Sequence, residues 1–426
     1  MKNEYIQIVA LMLFALALCV CSSIRSCFLA DAFSRRNFSG SWYGALEASL
    51  FVGFFVMYLI RVTEMIMRKI NNLRVLLITN MVVLAVVSLL QGLVYLVDDN
   101  TTMMIMSFVL RLFQGAFAFS SGLVQVDFAH VINPEKFDFV NGLGFLGNYV
   151  GQGVSGSIGC LLYENYGYLV PFFFSSGLAI SVAGFLLLTV PPGPTHLCKD
   201  EKVSLTKLST ATLNTNSRCT KLLIFPMIST MLVNSNYGII QVNLPPFLHN
   251  NFGKPLSYGG TVLIFASLGM ATGSFLGGLA LQRKSLNHYT LMILGALFVL
   301  IGQLITFPPE FIGSLYKLAP YLSFLGTLLA GIGDSVITVA TLRAMYSLQA
   351  GMMGPSSTSL ETFINGMWLT GCMSLYYSGP FVGGFLKDHF SYSDSALIFG
   401  GMCALSGCIS LSLRLLAPED DQEREI

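Results

Sequence analysis

The chain has 426 residues, 54% of them hydrophobic and 11% charged, against about 25% charged in an ordinary soluble domain. A formal net charge of +1 excludes a polybasic nucleic-acid binder. Nine scattered cysteines, with no Cys-x-x-Cys and no Cys/His cluster, exclude a zinc or redox framework, and what remains is a polytopic membrane protein.

A hydrocarbon core about 30 Å thick takes roughly 20 apolar residues per helix. Twelve such runs follow one another, over 5–30, 42–66, 73–97, 103–130, 137–162, 169–190, 221–247, 256–281, 288–307, 318–346, 357–386 and 393–416. The first is longer than a signal-peptide core and has no convincing cleavage site, so it reads as a span. The only long polar interruption, 191–220, is rich in Pro, Ser, Thr and Lys and divides the spans six and six. We therefore expect an N-terminal six-helix half over 1–190, a cytosolic linker over 191–220, a C-terminal six-helix half over 221–416 and an acidic cytosolic tail over 417–426. Two pseudo-repeats joined by a solvated linker is a recurrent transporter plan.

Orientation follows from the distribution of positive charge. With the N-terminus in the cytosol, 16 of the 23 Lys and Arg fall on the cytosolic side and five outside, while Arg25 and Arg111 lie within spans. The sequons at Asn37 and Asn100 both fall in outer loops, where they are candidate N-glycosylation sites. Cys27 and Cys160 also lie toward that face. Both termini are then cytosolic.

In chain order, span two carries Glu47 near its outer end, and the loop after it, 61–69, is basic. Span four holds Arg111, with Gln114 and Gly115 following. A guanidinium at that depth costs at least ~2.5–3.5 kcal/mol, so it must face the bundle interior and find an acceptor. Span five is glycine-rich, including Gly142 and Gly151, which permits close helix contact. Asn141, Asn148 and Gln152 share one of its faces, either bonding a neighbouring helix or lining a polar cavity. Span seven offers Asn234, Asn236, Tyr237, Gln241 and Asn243 before Pro245 and Pro246. Span eight carries a small-residue ridge, Gly269, Gly273 and Gly277. Asp334 in span ten is the carboxylate closest to the middle of a span, hence a candidate proton carrier or cation site. The other reading is a structural ion pair with Arg111. Trp368, Tyr376 and Tyr377 on span eleven can stack on a cation or simply pack. Span eleven also contains Gly379, Pro380, Gly383 and Gly384.

Several of these motifs resemble those of the major facilitator superfamily. Arg111-x-x-Gln114-Gly115 is similar to its fourth-helix signature. The Gly142 to Gly151 spacing with 155–160 is similar to its fifth-helix antiporter motif, with Gly156 at the proline position and Cys160 for the last glycine. Gly379-Pro380-Phe381-Val382-Gly383-Gly384 shows that pattern intact in span eleven. Gly331-x-Gly333-Asp334-Ser335 resembles the tenth helix of vesicular amine transporters, and 106–111, 162–172 and 378–386 resemble their polyamine-transporting branch. Gln241 stands where that branch places an aspartate and Phe145 where it places a glutamate. Arg25 departs too, unless Asp31 neutralises it.

The resemblance implies an all-α, twelve-helix fold in two six-helix halves. It implies secondary active transport of a small organic solute by alternating access, the best guess being an organic cation or amine in proton-coupled antiport. Asp334 and Arg111 would serve proton coupling. Gln114, Asn148, Gln152, Asn234, Asn236, Gln241 and Trp368 would line the substrate cavity, and Gly142, Gly151, Gly379, Pro380, Gly383 and Gly384 would serve packing and gating. No cofactor, metal or catalytic residue is expected, and no phosphate-cradling Gly-x-x-x-x-Gly-Lys-Ser/Thr is present. The expected partners are the solute, protons and the lipid bilayer, the chain acting as a monomer in an intracellular vesicle or the plasma membrane. A transporter-shaped receptor or scaffold without flux and a proton-independent facilitator are the alternatives, whereas a membrane-embedded enzyme has no supporting constellation.

Overall fold

Apolar runs of this length become helices because lipid offers no partner for backbone N–H and C=O groups. The computed structural model describes residues 2–26, 28–60, 69–70, 72–133, 137–194, 217–283, 286–353 and 358–416. The basic loop at 61–68, Cys27, 195–216 of the linker and the tail lie outside the described residues, as do the side chains of Asn141, Glu361, Tyr376 and Tyr377. Among the described residues all regular structure is helical, with twelve helices of 19 to 36 residues. They are α1 (Lys2–Ser23), α2 (Gly40–Ile60), α3 (Leu73–Leu93), α4 (Asn100–Ile132), α5 (Phe137–Tyr166) and α6 (Leu169–Thr189), then α7 (Ser217–Phe252), α8 (Leu256–Gln282), α9 (His288–Thr306), α10 (Ala319–Met353), α11 (Thr358–His389) and α12 (Tyr392–Leu416). Nine are long and apolar enough to cross a membrane on described residues alone; α2, α5 and α11 complete the twelve.

Local chemistry sets the helix ends. Asn72, Asp99 and Asn287 cap α3, α4 and α9, their side-chain oxygens accepting backbone N–H groups at 3.3, 2.7 and 2.8 Å. Gly167 and Gly253 follow α5 and α7 at φ +86° and +62°, the left-handed turn that stops a helix.

The chain divides into two compact units. Unit 1 comprises 1–201 with 241–264, and unit 2 comprises 202–240 with 265–426. The last turns of α7 and the first of α8 group with unit 1. Two hydrogen bonds tie α8 to α5 within that unit. Ser157 on α5 donates its hydroxyl to the Gly260 carbonyl at 2.7 Å, and Glu164 accepts the Ser257 backbone N–H at 3.2 Å.

Within unit 1 the core is built from Leu11, Phe14, Leu77, Leu84, Val124, Phe128 and Leu186 on α1, α3, α4 and α6. Helix α2 closes directly on α4: a Cβ at Gly53 would overlap the Leu112 carbonyl oxygen, and one at Gly115 would overlap that of Leu50. Unit 2 repeats the device. A Cβ at Gly269 on α8 would overlap the Leu328 oxygen, and one at Gly331 on α10 would overlap that of Ala266. All four positions are displaced by the same 216 residues, so α8 and α10 pack in the register of α2 and α4. Helix α11 meets α7 with Gly379 against the Ser235 oxygen, as α5 meets α1 with Gly151 against that of Leu16. Glycine here buys backbone proximity, since helices in lipid gain from close packing rather than from hydrophobic collapse.

Candidate functional site

The glycine contacts decide which polar groups meet. Gly115 and Leu50 are the point of closest approach of α4 and α2. Arg111 lies four residues before Gly115, and Glu47 three residues before Leu50, so both project from that seam. Arg111 Nη2 is ion-paired with Glu47 Oε2. Its Nη1 donates to the Ser22 carbonyl at 2.9 Å and to Gln114 Oε1. Arg25, in the turn after α1, donates Nε to Glu47 Oε1 at 2.8 Å and Nη1 to Gln91 Oε1 at 3.2 Å. Gln91 passes the network on to Gln114 at 2.9 Å, and Gln114 donates to the Cys21 carbonyl at 2.7 Å. Ser26 adds a 3.4 Å bond to Glu47 Oε2. Arg25, Glu47 and Arg111 are at most 2% exposed.

The sequence left open whether Asp31 neutralises Arg25. Arg25 is neutralised by Glu47 and not by Asp31, which instead pairs with Arg35 at 2.9 Å and accepts the Tyr163 hydroxyl at 2.5 Å. The carboxylate partner of Arg111 is likewise Glu47, within unit 1. A sequence signal existed: a buried arginine one helix away from a buried glutamate. Which glutamate it meets depends on the helix seam.

Unit 2 holds the other charged centre. Asp334 sits at the middle of the 35-residue α10 and is 3% exposed. Among the described residues no Lys, Arg or His lies within ion-pair distance of it. With its amide nitrogen turned toward the carboxylate, Asn234 on α7 donates to both Asp334 oxygens, to Oδ2 at 3.3 Å, and to Thr338 Oγ1 at 3.2 Å. Thr338 donates to the Asp334 carbonyl at 2.9 Å, and Trp368 Nε1 donates to the Thr338 carbonyl at 2.9 Å. The thiols of Cys372 and Cys403 lie in the field of Asp334. A narrow crevice beside the carboxylate is lined by Asn236, Tyr237, Met270, Thr327 and Gly331. The Asn236 side-chain oxygen in that wall is buried without a hydrogen-bond partner among the described residues.

Of the cavity residues expected from sequence, the fold places Asn234, Asn236 and Trp368 around the Asp334 region of unit 2. Gln114 belongs to the arginine network. Asn148 is a half-buried bridge between Gln125, at 3.4 Å, and the Cys19 thiol, at 3.6 Å. Gln152 and Gln241 are buried, in unit 1. Gly151 and Gly379 are close-contact positions, whereas a Cβ at Gly142 would meet nothing within 4 Å. Pro380 lies inside α11, with Gly383 and Gly384 buried in the next turn. Asn37 and Asn100 are exposed at the same end of unit 1, where Arg36 donates to Asn100 Oδ1 at 3.4 Å and to the carbonyls of Val97 and Tyr95 at 2.8 and 2.7 Å. Cys160 is a buried free thiol.

The 216-residue register exposes a charge asymmetry. Arg111 and Glu47 correspond to Thr327 and Leu263, and Asp334 corresponds to Ala118. Each unit thus carries its ionisable group where the other has none.

Comparison with known proteins agrees with this architecture. The protein "MFS-type transporter SLC18B1" of Mus musculus is 26% identical over 278 residues, covering 63% of this chain and 55% of the relative. The protein of the same name from Homo sapiens is 23% identical over 337 residues, covering 75% and 67%. The chain thus spans about half the length of the mouse relative. Solved structures share the fold at low identity. The bacterial homologue of the lysosomal transporter Spinster, inward-facing and occupied, matches with a TM-score of 0.72 at 14% identity over 97% of both chains. A D-xylose-proton symporter matches with a TM-score of 0.72 at 12% identity, covering 95% of this chain and 97% of its own. A point mutant of the nucleoside transporter NupG gives 0.71 at 14%, over 96% and 99%. These are membrane transporters and not enzymes. The family model described as Major Facilitator Superfamily matches residues 62–359, and the chain belongs to that superfamily of multi-pass membrane transporters.

Proposed function

We propose that the chain moves a small organic cation by alternating access, in exchange for protons carried on Asp334. The observation that supports this reading is a buried carboxylate with no cation beside it among the described residues, next to a buried amide oxygen with no donor. A bare charge in a dry helix bundle is expensive, so the carboxylate must hold either a proton or a cation in each state of the cycle. Proton and substrate compete for the same two oxygens, and competition at one site is the simplest physical basis of exchange. Asn236 Oδ1 offers a second acceptor to an ammonium with several N–H donors, and Trp368 on α11 lies one hydrogen bond from Thr338. The resemblance to vesicular amine transporters points to the same substrate class. The two halves rocking about a midplane site would supply the access change.

The test is uptake into proteoliposomes with and without an imposed proton gradient, across polyamines, monoamines and several organic anions. Gradient-driven cation uptake that is lost in Asp334→Asn is the expected result. Uptake that Asp334→Asn performs at the wild-type rate under the same gradient refutes the assignment. Flux indifferent to the gradient would make the chain a facilitator, and absence of any flux would make it a receptor or scaffold.

A further inference from the structure

Two buried carboxylates, Glu47 and Asp334, are held in opposite ways. Glu47 in unit 1 is ion-paired with two guanidiniums, those of Arg25 and Arg111. Asp334 in unit 2 is met by a neutral amide, that of Asn234 on α7, whose nitrogen faces both carboxylate oxygens and Thr338 Oγ1. The surrounding contacts fix that orientation. Thr338 donates its hydroxyl to the Asp334 carbonyl at 2.9 Å, so its oxygen is left to accept from Asn234. The Cys372 thiol of α11 is hydrogen-bonded to the Asn234 side chain; with the amide nitrogen turned to the carboxylate, the thiol donates and Asn234 Oδ1 accepts. About one turn along both helices, Thr230 Oγ1 donates to Thr341 Oγ1 at 2.6 Å, which holds α7 against α10 in this register. Asn234 is 1% exposed, so its donors are committed to these partners.

The difference in partner matters chemically. A guanidinium stays charged and competes with any other cation for the carboxylate it pairs with. A neutral amide supplies N–H donors to the bare carboxylate and leaves the charge itself to a proton or a cation. A hydrogen bond to an ionised group is among the stronger ones, and a carboxylate that lacks it in a dry interior meets the full cost of desolvation. On the reading of Asp334 as the shared proton and cation site, on which this inference rests, we propose that Asn234 is a positioning residue for exchange. It holds the Asp334 carboxylate aimed and stabilised after its proton has left and before a cation arrives. The titratable groups facing Asp334 among the described residues are Tyr237 on α7 and the thiols of Cys372 on α11 and Cys403 on α12. Helix α8 presents Ala266 and Met270, and α9 meets the adjacent Gly333 through Gly295 and Val299. None of these is a cation, so removing the amide favours the protonated carboxyl over the cation-bound carboxylate.

The experiment measures exchange of labelled putrescine and tyramine, a diamine and a monoamine, in proteoliposomes held at the same pH inside and out. Wild type, Asn234→Leu and Asp334→Asn are compared from mildly acidic to mildly alkaline pH. Leucine is close to asparagine in shape and removes the donors. At acidic pH the apparent KM of Asn234→Leu should rise roughly tenfold to a hundred-fold, the worth of a hydrogen bond to a charged group. It should converge on the wild-type value as the pH rises, with the maximal rate little changed. A wild-type KM at every pH in Asn234→Leu overturns the proposal. A fall in maximal rate that is the same at every pH, the mark of a merely structural part, overturns it as well. If Asn234→Leu fails to fold, Asn234→Ala, which removes the amide without adding an apolar branch, is read by the same criteria. Exchange that Asp334→Asn performs with the wild-type KM and pH profile, or no exchange of either amine by the wild type, overturns the Asp334 reading itself, whatever Asn234→Leu does.

Discussion

Replacing Glu47 with glutamine keeps the shape of the side chain and removes its charge. In the native chain Glu47 Oε1 accepts from Arg25 at 2.8 Å and Oε2 from Arg111, with all three side chains at most 3% exposed. The variant removes the carboxylate with which both buried guanidiniums pair. Breaking a buried pair in this way typically costs about 3–5 kcal/mol, which at 1.4 kcal/mol per decade is roughly a hundred-fold to several-thousand-fold in the folding equilibrium. Melting of the detergent-purified protein, followed by fluorescence-detected size exclusion, reads the loss. The double variant Glu47→Gln/Arg25→Gln returns the cluster to its original net charge, so it should recover at least half of the deficit, a coupling that a double-mutant cycle isolates. A Glu47→Gln protein that melts with the wild type, or a double variant no better than the single one, refutes the view that this charge pairing holds α1, α2 and α4 together.

Other expectations follow from the same geometry. Gly115→Val adds a branched Cβ that would overlap the Leu50 carbonyl oxygen and should collapse the yield of folded protein. Gly277→Ala, whose added Cβ would stand 3.6 Å from Val336, should be tolerated in the same expression assay. Arg36→Ala removes two bonds to the carbonyls that end the 3₁₀ turn Val94–Leu96, together with the stacking on Tyr95. Because Arg36 is only half-buried, the expected loss is about 1–2 kcal/mol in a melting experiment. Asn37→Gln and Asn100→Gln should each shift gel mobility in cells if the shared exposed end of unit 1 faces the secretory lumen, and a glycosidase should abolish the difference.

The helices themselves were legible in the sequence. A run of some 20 apolar residues has one way to satisfy its backbone in lipid, so span number and approximate limits followed from counting. Arg111 and Asp334 stood out for the same reason, because charge inside such a run demands an explanation. Length alone was a poorer guide at the ends: α7 runs 36 residues, from Ser217, inside the stretch read as linker, to Phe252. Partnership was not legible. Asp31 and Glu47 were both available to Arg25, and the choice fell to Glu47 because Gly53 and Gly115 bring α2 and α4 backbones into contact. That contact aims Glu47 into the bundle, while Asp31 ends among Arg35 and Tyr163 on the short helix Leu29–Ser34. The glycines were visible as small residues, but their mates were not. Helix-to-helix contacts join positions far apart in the chain, and neither hydropathy nor spacing encodes which carbonyl will lie opposite a missing Cβ. The sequence by itself thus determined what must be buried, and the tertiary packing decided against what.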